Sequence, residues 1–147
     1  MKLGSSKVAA GFCLAAPLVL TGCQTTNVLF AGGSNATSPE LIAALDGGLI
    51  GQVADLEISQ GDQRQALASE YRALEYAAPG ESVTWKSSAG VFAGFVSASQ
   101  PYRVGSQDCR QYTLRIFNAQ AASNQTPRAS ARGTACRNAN GSWSLLS

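Results

Sequence analysis

The chain has 147 residues, with 11 Lys and Arg against 9 Asp and Glu, and it contains no histidine. The lack of histidine removes the commonest general base and the commonest metal ligand. A formal net charge of only +2, without any basic run, argues against nucleic-acid binding.

The first residues have the layout of a bacterial export signal. Lys2 and Lys7 precede an apolar run, residues 8–20, that is too short to span a bilayer. The run leads into the sequence LTGC at residues 20–23, which is the arrangement of a lipobox. An ordinary signal peptide, or a buried N-terminal helix with an incidental cysteine, is the alternative interpretation.

The lipobox predicts a lipoprotein. We expect residues 1–22 to be removed as the signal peptide, and Cys23 to carry a diacylglycerol thioether and an N-acyl chain, with no other cofactor. Gln24 stands where an aspartate commonly retains lipoproteins in the inner membrane, which favours the outer membrane. Cleavage also removes Lys2 and Lys7, so about 125 residues remain with balanced charge, enough for one small domain.

A polar stretch separates this N-terminus from the first helix signal. Residues 23–37 are mostly small and polar and are predicted to form the lipidated N-terminus and a tether. Ser38, Pro39 and Glu40 then supply a capping hydroxyl, a proline suited to the first helical position and an early acid. A helix from Pro39 to about Glu57 is therefore predicted.

Glycines interrupt that helical pattern. Gly47, Gly48 and Gly51 lower helix propensity and favour a break near Asp46. Ala43, Gly47 and Gly51 have the small-xxx-small spacing that lets helices pack closely in membranes, but the charges on both sides leave too short an apolar run to span one. We predict a separate helical segment with a reduced glycine zipper over residues 38–57.

The clearest helix begins after Ser59. Its hydroxyl is predicted to cap the helix, with the acid Asp62 three residues on. Leu67, Tyr71 and Leu74 follow at helical spacing and form an apolar stripe. The helix should end near Ala77, because Pro79 and Gly80 force a turn.

Beyond this turn the hydrophobic period changes to two, which predicts β-strands. The five predicted strands are Ser82–Lys86, Val91–Ser99, Gln111–Ala119, Ala129–Arg137 and Ser142–Leu146. Residues 87–90 and 138–141 are predicted turns, and 121–127 a mobile polar loop. Over residues 58–147 we therefore predict an α+β domain, with one or two N-terminal helices packed on an antiparallel sheet of four to five strands.

Two cysteines remain after the predicted lipidation. Cys109 and Cys136 are expected to form a disulfide, because paired cysteines are usual in exported domains. It would close a loop of about 26 residues and contribute about 3 kcal/mol. The alternative, half of a zinc site, has no further cysteine or histidine to complete it.

Arg110 and Arg137 each follow one of these cysteines directly. If the cysteines pair across neighbouring strands, both arginines can point outward and bind an acidic partner such as a lipopolysaccharide phosphate or a peptide carboxylate. Two solvated or salt-bridged surface arginines are the competing interpretation. The aromatic side chains are predicted to form core rather than a ligand groove: Trp85, Tyr102, Tyr112 and Trp143.

Catalytic motifs of the common hydrolase, metalloprotease and nucleotide-binding types do not occur in the sequence. Glu70 and Glu75 are the candidates for the acid pair of a glycosidase. Their five-residue spacing places them on different helix faces, so we predict that both are solvated. We accordingly expect no catalytic residue and no metal-binding residue.

Five short blocks together carry a family pattern: ALEYA at 73–77, PG at 79–80, CRQY at 109–112, GTACR at 133–137 and GSW at 141–143. With these blocks the chain resembles the 17-kilodalton surface-antigen family of bacterial outer-membrane lipoproteins over about residues 47–146. The resemblance implies a lipidated, non-enzymatic structural or interaction component of the envelope, on its periplasmic or surface side. Envelope proteins or glycans are the expected partners. A periplasmic binding or inhibitor module for a peptide, glycan or envelope protein is the alternative.

Overall fold

The computed structural model describes residues 39–53, 55–120 and 126–146. The predicted signal peptide, the lipidated Cys23 with its tether, and residues 121–125 of the predicted polar loop lie outside these ranges. In chain order the helices and strands are α1 (Pro39–Ala43), a single 3-10 turn (Ile50–Gln52), α2 (Gln60–Glu75), β1 (Ser82–Lys86), β2 (Phe92–Ala98), β3 (Tyr102–Val104), β4 (Gln107–Asn118), β5 (Ala129–Arg137) and β6 (Trp143–Leu146).

The strands form one antiparallel sheet in the order β1-β2-β4-β5-β6, with β3 paired to the start of β4. Helix α2 packs on this sheet, which confirms the predicted α+β class. All five predicted strands are present, and the predicted turns close with hydrogen bonds from Gly90 N–H to Ser87 O and from Gly141 N–H to Asn138 O. The sixth strand, β3, was not predicted. It precedes β4 in the chain and pairs with the first residues of β4 as a hairpin.

Successive residues of a strand point to opposite sides of the sheet, so the register defines two faces. The face that packs against α2, here called the inner face, contains most of the core. Its large buried residues include Trp85, Val96, Tyr112, Leu114, Ile116 and Trp143. The opposite face, here called the outer face, consists of exposed or half-buried residues apart from the buried Cys109 and Cys136, and within the described ranges no helix packs on it. The prediction of core aromatics is thus confirmed for three of the four, while Tyr102 is 42% exposed.

The helix predicted from Pro39 ends at Ala43, well short of Glu57. Asp46, Gly47 and Gly48 all have positive φ, which an α-helix cannot accommodate. The predicted break near Asp46 is therefore confirmed. The chain then turns inward, and Leu45, Leu49 and Ile50 join the core beneath α2.

Helix α2 begins as the sequence predicts. The Ser59 hydroxyl oxygen accepts a hydrogen bond from the Asp62 backbone N–H at 3.1 Å. The Asp62 carboxylate in turn accepts bonds from the backbone N–H and the hydroxyl of Ser88 at 2.8 and 3.1 Å. The start of α2 is thereby tied to the turn between β1 and β2.

Candidate binding groove at the end of the long helix

The C-terminal end of α2 meets β3, the start of β4 and the end of β5, and a groove of about 460 Å³ opens between them. The helix supplies Leu74 and Glu75 to its wall. The strands and the segment before β3 supply Pro101, Tyr102, Arg103, Asp108, Arg110, Arg137 and Trp143. Both arginines singled out in the sequence therefore line one site.

The Cys109–Cys136 disulfide anchors the strand side of this site. The two cysteines are register partners on β4 and β5, with their Cα atoms 4.0 Å apart. This confirms the predicted pairing. Each following arginine faces the opposite side of its strand from the cysteine, so Arg110 and Arg137 both lie on the inner side, next to the helix end.

Arg110 is buried, which makes the predicted outward orientation wrong for this residue. Its side chain is enclosed between β4 and the end of α2, and it is 5% exposed. Its guanidinium donates to four carbonyl oxygens, those of Ala73, Leu74, Ala77 and Ser99, at 2.7 to 3.2 Å.

Arg110 thus closes the C-terminal end of α2. The last carbonyls of a helix have no partner within the helix and carry its negative dipole end, so a cation placed there satisfies them and is stabilised by the dipole. Burial lowers the pKa of Arg110, but a guanidinium stays charged in proteins. With its donors directed to the backbone, Arg110 is a structural residue of the groove wall.

Arg137 lies at the groove surface and pairs with Glu75. Its Nε and Nη2 atoms each donate to the Glu75 carboxylate at 2.9 Å, and the Trp143 indole N–H donates to the same carboxylate at 2.8 Å. The hydrogen bonds from Arg137 lower the pKa of Glu75 and raise the pKa of Arg137. The predicted salt-bridged interpretation therefore describes Arg137. Its side chain is still 42% exposed.

The rim of the groove carries a second ion pair and an aromatic ring. Arg103 and Asp108 approach to 3.1 Å, and both side chains are more than half exposed, so the pair adds little stability. Tyr102 also contributes to the groove lining, although its register partner is Cys109 and its side chain therefore belongs to the outer face. The groove has little free positive charge, because Arg103 and Arg137 each pair with a carboxylate and the buried Arg110 donates to backbone carbonyls. It suits a polar uncharged or zwitterionic group better than a strong anion.

Glu70 is a polar residue whose environment was predicted wrongly. The sequence predicts that it is solvated. In the structure its side chain is fully buried beneath α2, between the inner face and the residues that lead into the 3-10 turn. Its carboxylate accepts hydrogen bonds from the backbone N–H groups of Leu49 and Ile50 at 2.8 and 2.9 Å, and from the Tyr112 hydroxyl at 2.9 Å. Burial raises the pKa of Glu70 to about 7, and burial together with the nearby carboxylate raises the pKa of Tyr112.

The close approach of the chain to Glu70 explains one glycine of the reduced zipper. A Cβ atom on Gly48 would lie 2.5 Å from a Glu70 carboxylate oxygen and 2.7 Å from a Leu67 methyl group. Gly48 also has a φ of +59°, which side chains rarely adopt. This position needs glycine for the turn and for the contact with Glu70.

Within residues 39–53, 55–120 and 126–146, no three His, Cys, Asp or Glu side chains come together as a metal site would require. Over the same ranges, the helices are all too short or too polar to cross a membrane.

Comparison with known families identifies the segment that forms the groove. Residues 72–144 match the model of a family described as the 17 kDa outer membrane surface antigen. Searches of curated proteins and of solved structures returned no match. The matched segment is shorter than residues 47–146, but it contains the helix end, the disulfide and both arginines. Through this segment, the chain belongs to the 17 kDa outer membrane surface antigen family.

Proposed function

We propose that this protein is a lipoprotein of the bacterial outer membrane that acts as a non-enzymatic structural or interaction component of the cell envelope. Residues 1–22 would be removed, Cys23 would carry the lipid, and residues 23–37 would tether the domain. The family match over residues 72–144 carries the proposal, because the family is defined by outer-membrane surface antigens. The lipobox at residues 20–23 supports it independently.

The use of the buried charged residues supports a non-enzymatic role. Glu70 and Arg110 make their hydrogen bonds to backbone groups and to Tyr112, inside the domain. Glu75 is occupied by Arg137 and Trp143. A general acid or base must reach the proton that it transfers. These side chains are instead committed to holding α2 on the sheet.

Lipidation can be tested on the full chain in a bacterial host. Labelled palmitate should enter the wild-type protein, and globomycin should block its processing. Cys23→Ser should abolish both effects, because the thioether forms on this sulfur. Cys13→Ser is the matched control, since it changes the other cysteine of the signal region, and it should behave as the wild type. Normal processing and labelling of Cys23→Ser would contradict the anchor.

The groove favours a second candidate function, a binding module for a glycan or peptide. Its two ion pairs are partly exposed and resemble surfaces that hold polar uncharged groups. A pull-down from envelope extract with the mature chain tests this. Arg103→Ala should release a groove ligand, whereas Val104→Ala, on the opposite face of the same strand and also exposed, should not. Equal recovery with both variants would count against the groove.

A further inference from the structure

The outer face of the sheet collects positive charge in a domain that is neutral overall. Beyond the tether the charges balance, yet the outer positions of the described strands hold three cations and no carboxylate. These cations are Lys86 on β1, Arg115 on β4 and Arg132 on β5. All three are exposed, and none forms an ion pair with a described residue.

The register places these cations on a diagonal across the sheet. Residues that are register partners form rows across the strands. Arg115 lies in the same row as Phe95 on β2, and Lys86 lies in the neighbouring row of outer positions. With strands about 4.8 Å apart and residues about 3.4 Å apart, neighbouring cations on the diagonal are roughly 8 to 12 Å from each other. They therefore form a line across four strands rather than a compact cluster.

An aromatic pair lies beside this diagonal. Phe95 and Phe117 contact each other edge to face, with ring centroids 5.4 Å apart. Both are half-buried, although they belong to the face that no described helix covers. The remaining positions of the outer face are uncharged, and about half of them are Ser or Thr. The outer face thus combines exposed cations with a small apolar centre.

We propose that the outer face docks onto the anionic headgroups of the membrane leaflet that carries the protein. This rests on the proposed lipid anchor, which would hold the domain beside that leaflet. Exposed cations next to aromatic rings are typical of surfaces that bind anionic lipid headgroups. A face without carboxylates is also not repelled by those headgroups.

Because the proposed tether holds the domain beside the membrane, a weak attraction between the outer face and the headgroups is sufficient for docking. As the proposed tether, the 15 residues between Cys23 and α1 would span about 20 Å if they behave as a flexible chain, which would keep the face close to the headgroups at a high effective concentration. Each cation contributes about fivefold to binding at an anionic surface, equivalent to about 1 kcal/mol. Three cations together then contribute about 100-fold.

The test uses the mature chain with Cys23→Ser, so that the result does not depend on lipidation. Its binding is measured by co-sedimentation with vesicles of phosphatidylcholine alone and of an equal mixture with phosphatidylglycerol. We expect binding to the mixed vesicles only. The triple variant Lys86→Gln, Arg115→Gln, Arg132→Gln should lose about 100-fold. The control triple Arg64→Gln, Arg103→Gln, Arg128→Gln loses the same charge elsewhere and should keep most of the binding.

Several outcomes would overturn the proposal. Equal binding to neutral vesicles, or equal losses in the two triple variants, would show that the outer face is not specific for anionic lipid. Binding to soluble polyglutamate but not to vesicles would assign the face to an acidic protein partner. If the outer triple variant does not fold, a salt titration of the variant carrying only Cys23→Ser decides, because headgroup binding must fall steeply as ionic strength rises.

Discussion

The two faces of the sheet use charge in opposite ways. Strand β4 shows this with two arginines five positions apart. Arg110, on the inner face, is buried and donates to four backbone carbonyls. Arg115, on the outer face, is exposed and forms no ion pair with a described residue. The same residue type therefore stabilises the fold on one face and stays available to a partner on the other.

The most severe test of this difference replaces each arginine of β4 by methionine. Arg110→Met should lower the free energy of unfolding by about 3 to 4 kcal/mol, because it leaves buried carbonyls at the end of α2 without donors. Arg115→Met should change it by less than about 0.5 kcal/mol. Urea denaturation measures both. Similar losses in the two variants would remove the distinction between the faces.

The disulfide belongs to the outer face, so its removal tests whether that face also supports the fold. The double variant Cys109→Ala, Cys136→Ala should lose about 3 kcal/mol, because the unfolded chain regains the freedom of the closed loop. Denaturation of the wild type with and without reductant should give the same difference. If reductant still lowered the free energy of unfolding of the double variant, its effect would have a cause other than this disulfide.

The buried Glu70 makes the inner face sensitive to pH. Its pKa is about 7 in the folded protein against 4.5 when exposed, so its contribution is complete below about 4.5 and is lost as the pH rises through about 7. Between about pH 5 and about pH 8, the free energy of unfolding should fall by about 2 to 3 kcal/mol. Denaturation across this range measures the slope.

Glu70→Gln provides the control for this prediction, since glutamine cannot ionise. The variant should show no slope over the same interval, although its amide loses one of the hydrogen bonds that the carboxylate accepts. A slope that survives in Glu70→Gln would assign the pH dependence to another group.

The smallest expected effect on stability concerns the groove, whose side chains are partly buried and partly exposed. Arg137→Met should cost about 1 kcal/mol, because the pair with Glu75 is partly screened by solvent. The pKa of Glu75 is lowered in the folded protein, so its stabilisation is present above the unfolded value and is lost as the pH falls through the folded one. A double-mutant cycle with Glu75→Gln isolates the coupling. A coupling near zero would mean that Arg137 is free for ligands.

Much of this architecture could be predicted because it depends on local signals. The Ser59 cap, the alternation in β4 and the cysteine count identified the long helix, the main strands and the disulfide. Strand β3 has only three residues, all exposed, so it carries no alternation. It forms because β4 begins before Cys109, at Gln107, so that the edge of β4 there can pair with β3.

The environments of Glu70 and Arg110 depend on which side of an element faces the core. Glu70 falls in the same helical row as Ala66 and Leu74, and Arg110 alternates in phase with Tyr112 and Leu114. Both signals indicate burial. A charged side chain is normally assigned to solvent, however, because only the folded chain can show the backbone donors and carbonyls that satisfy it.

The inward turn at residues 45–50 also has a mechanical consequence. Leu49 is fully buried, and its backbone N–H is bonded to Glu70 in the middle of α2. A pull on the chain from the side of Pro39 would therefore load the hydrogen bonds to Glu70 and the packing of Leu45 and Leu49 before it reached any strand. We expect this turn to open first under such a pull, before the strands and their disulfide carry the load.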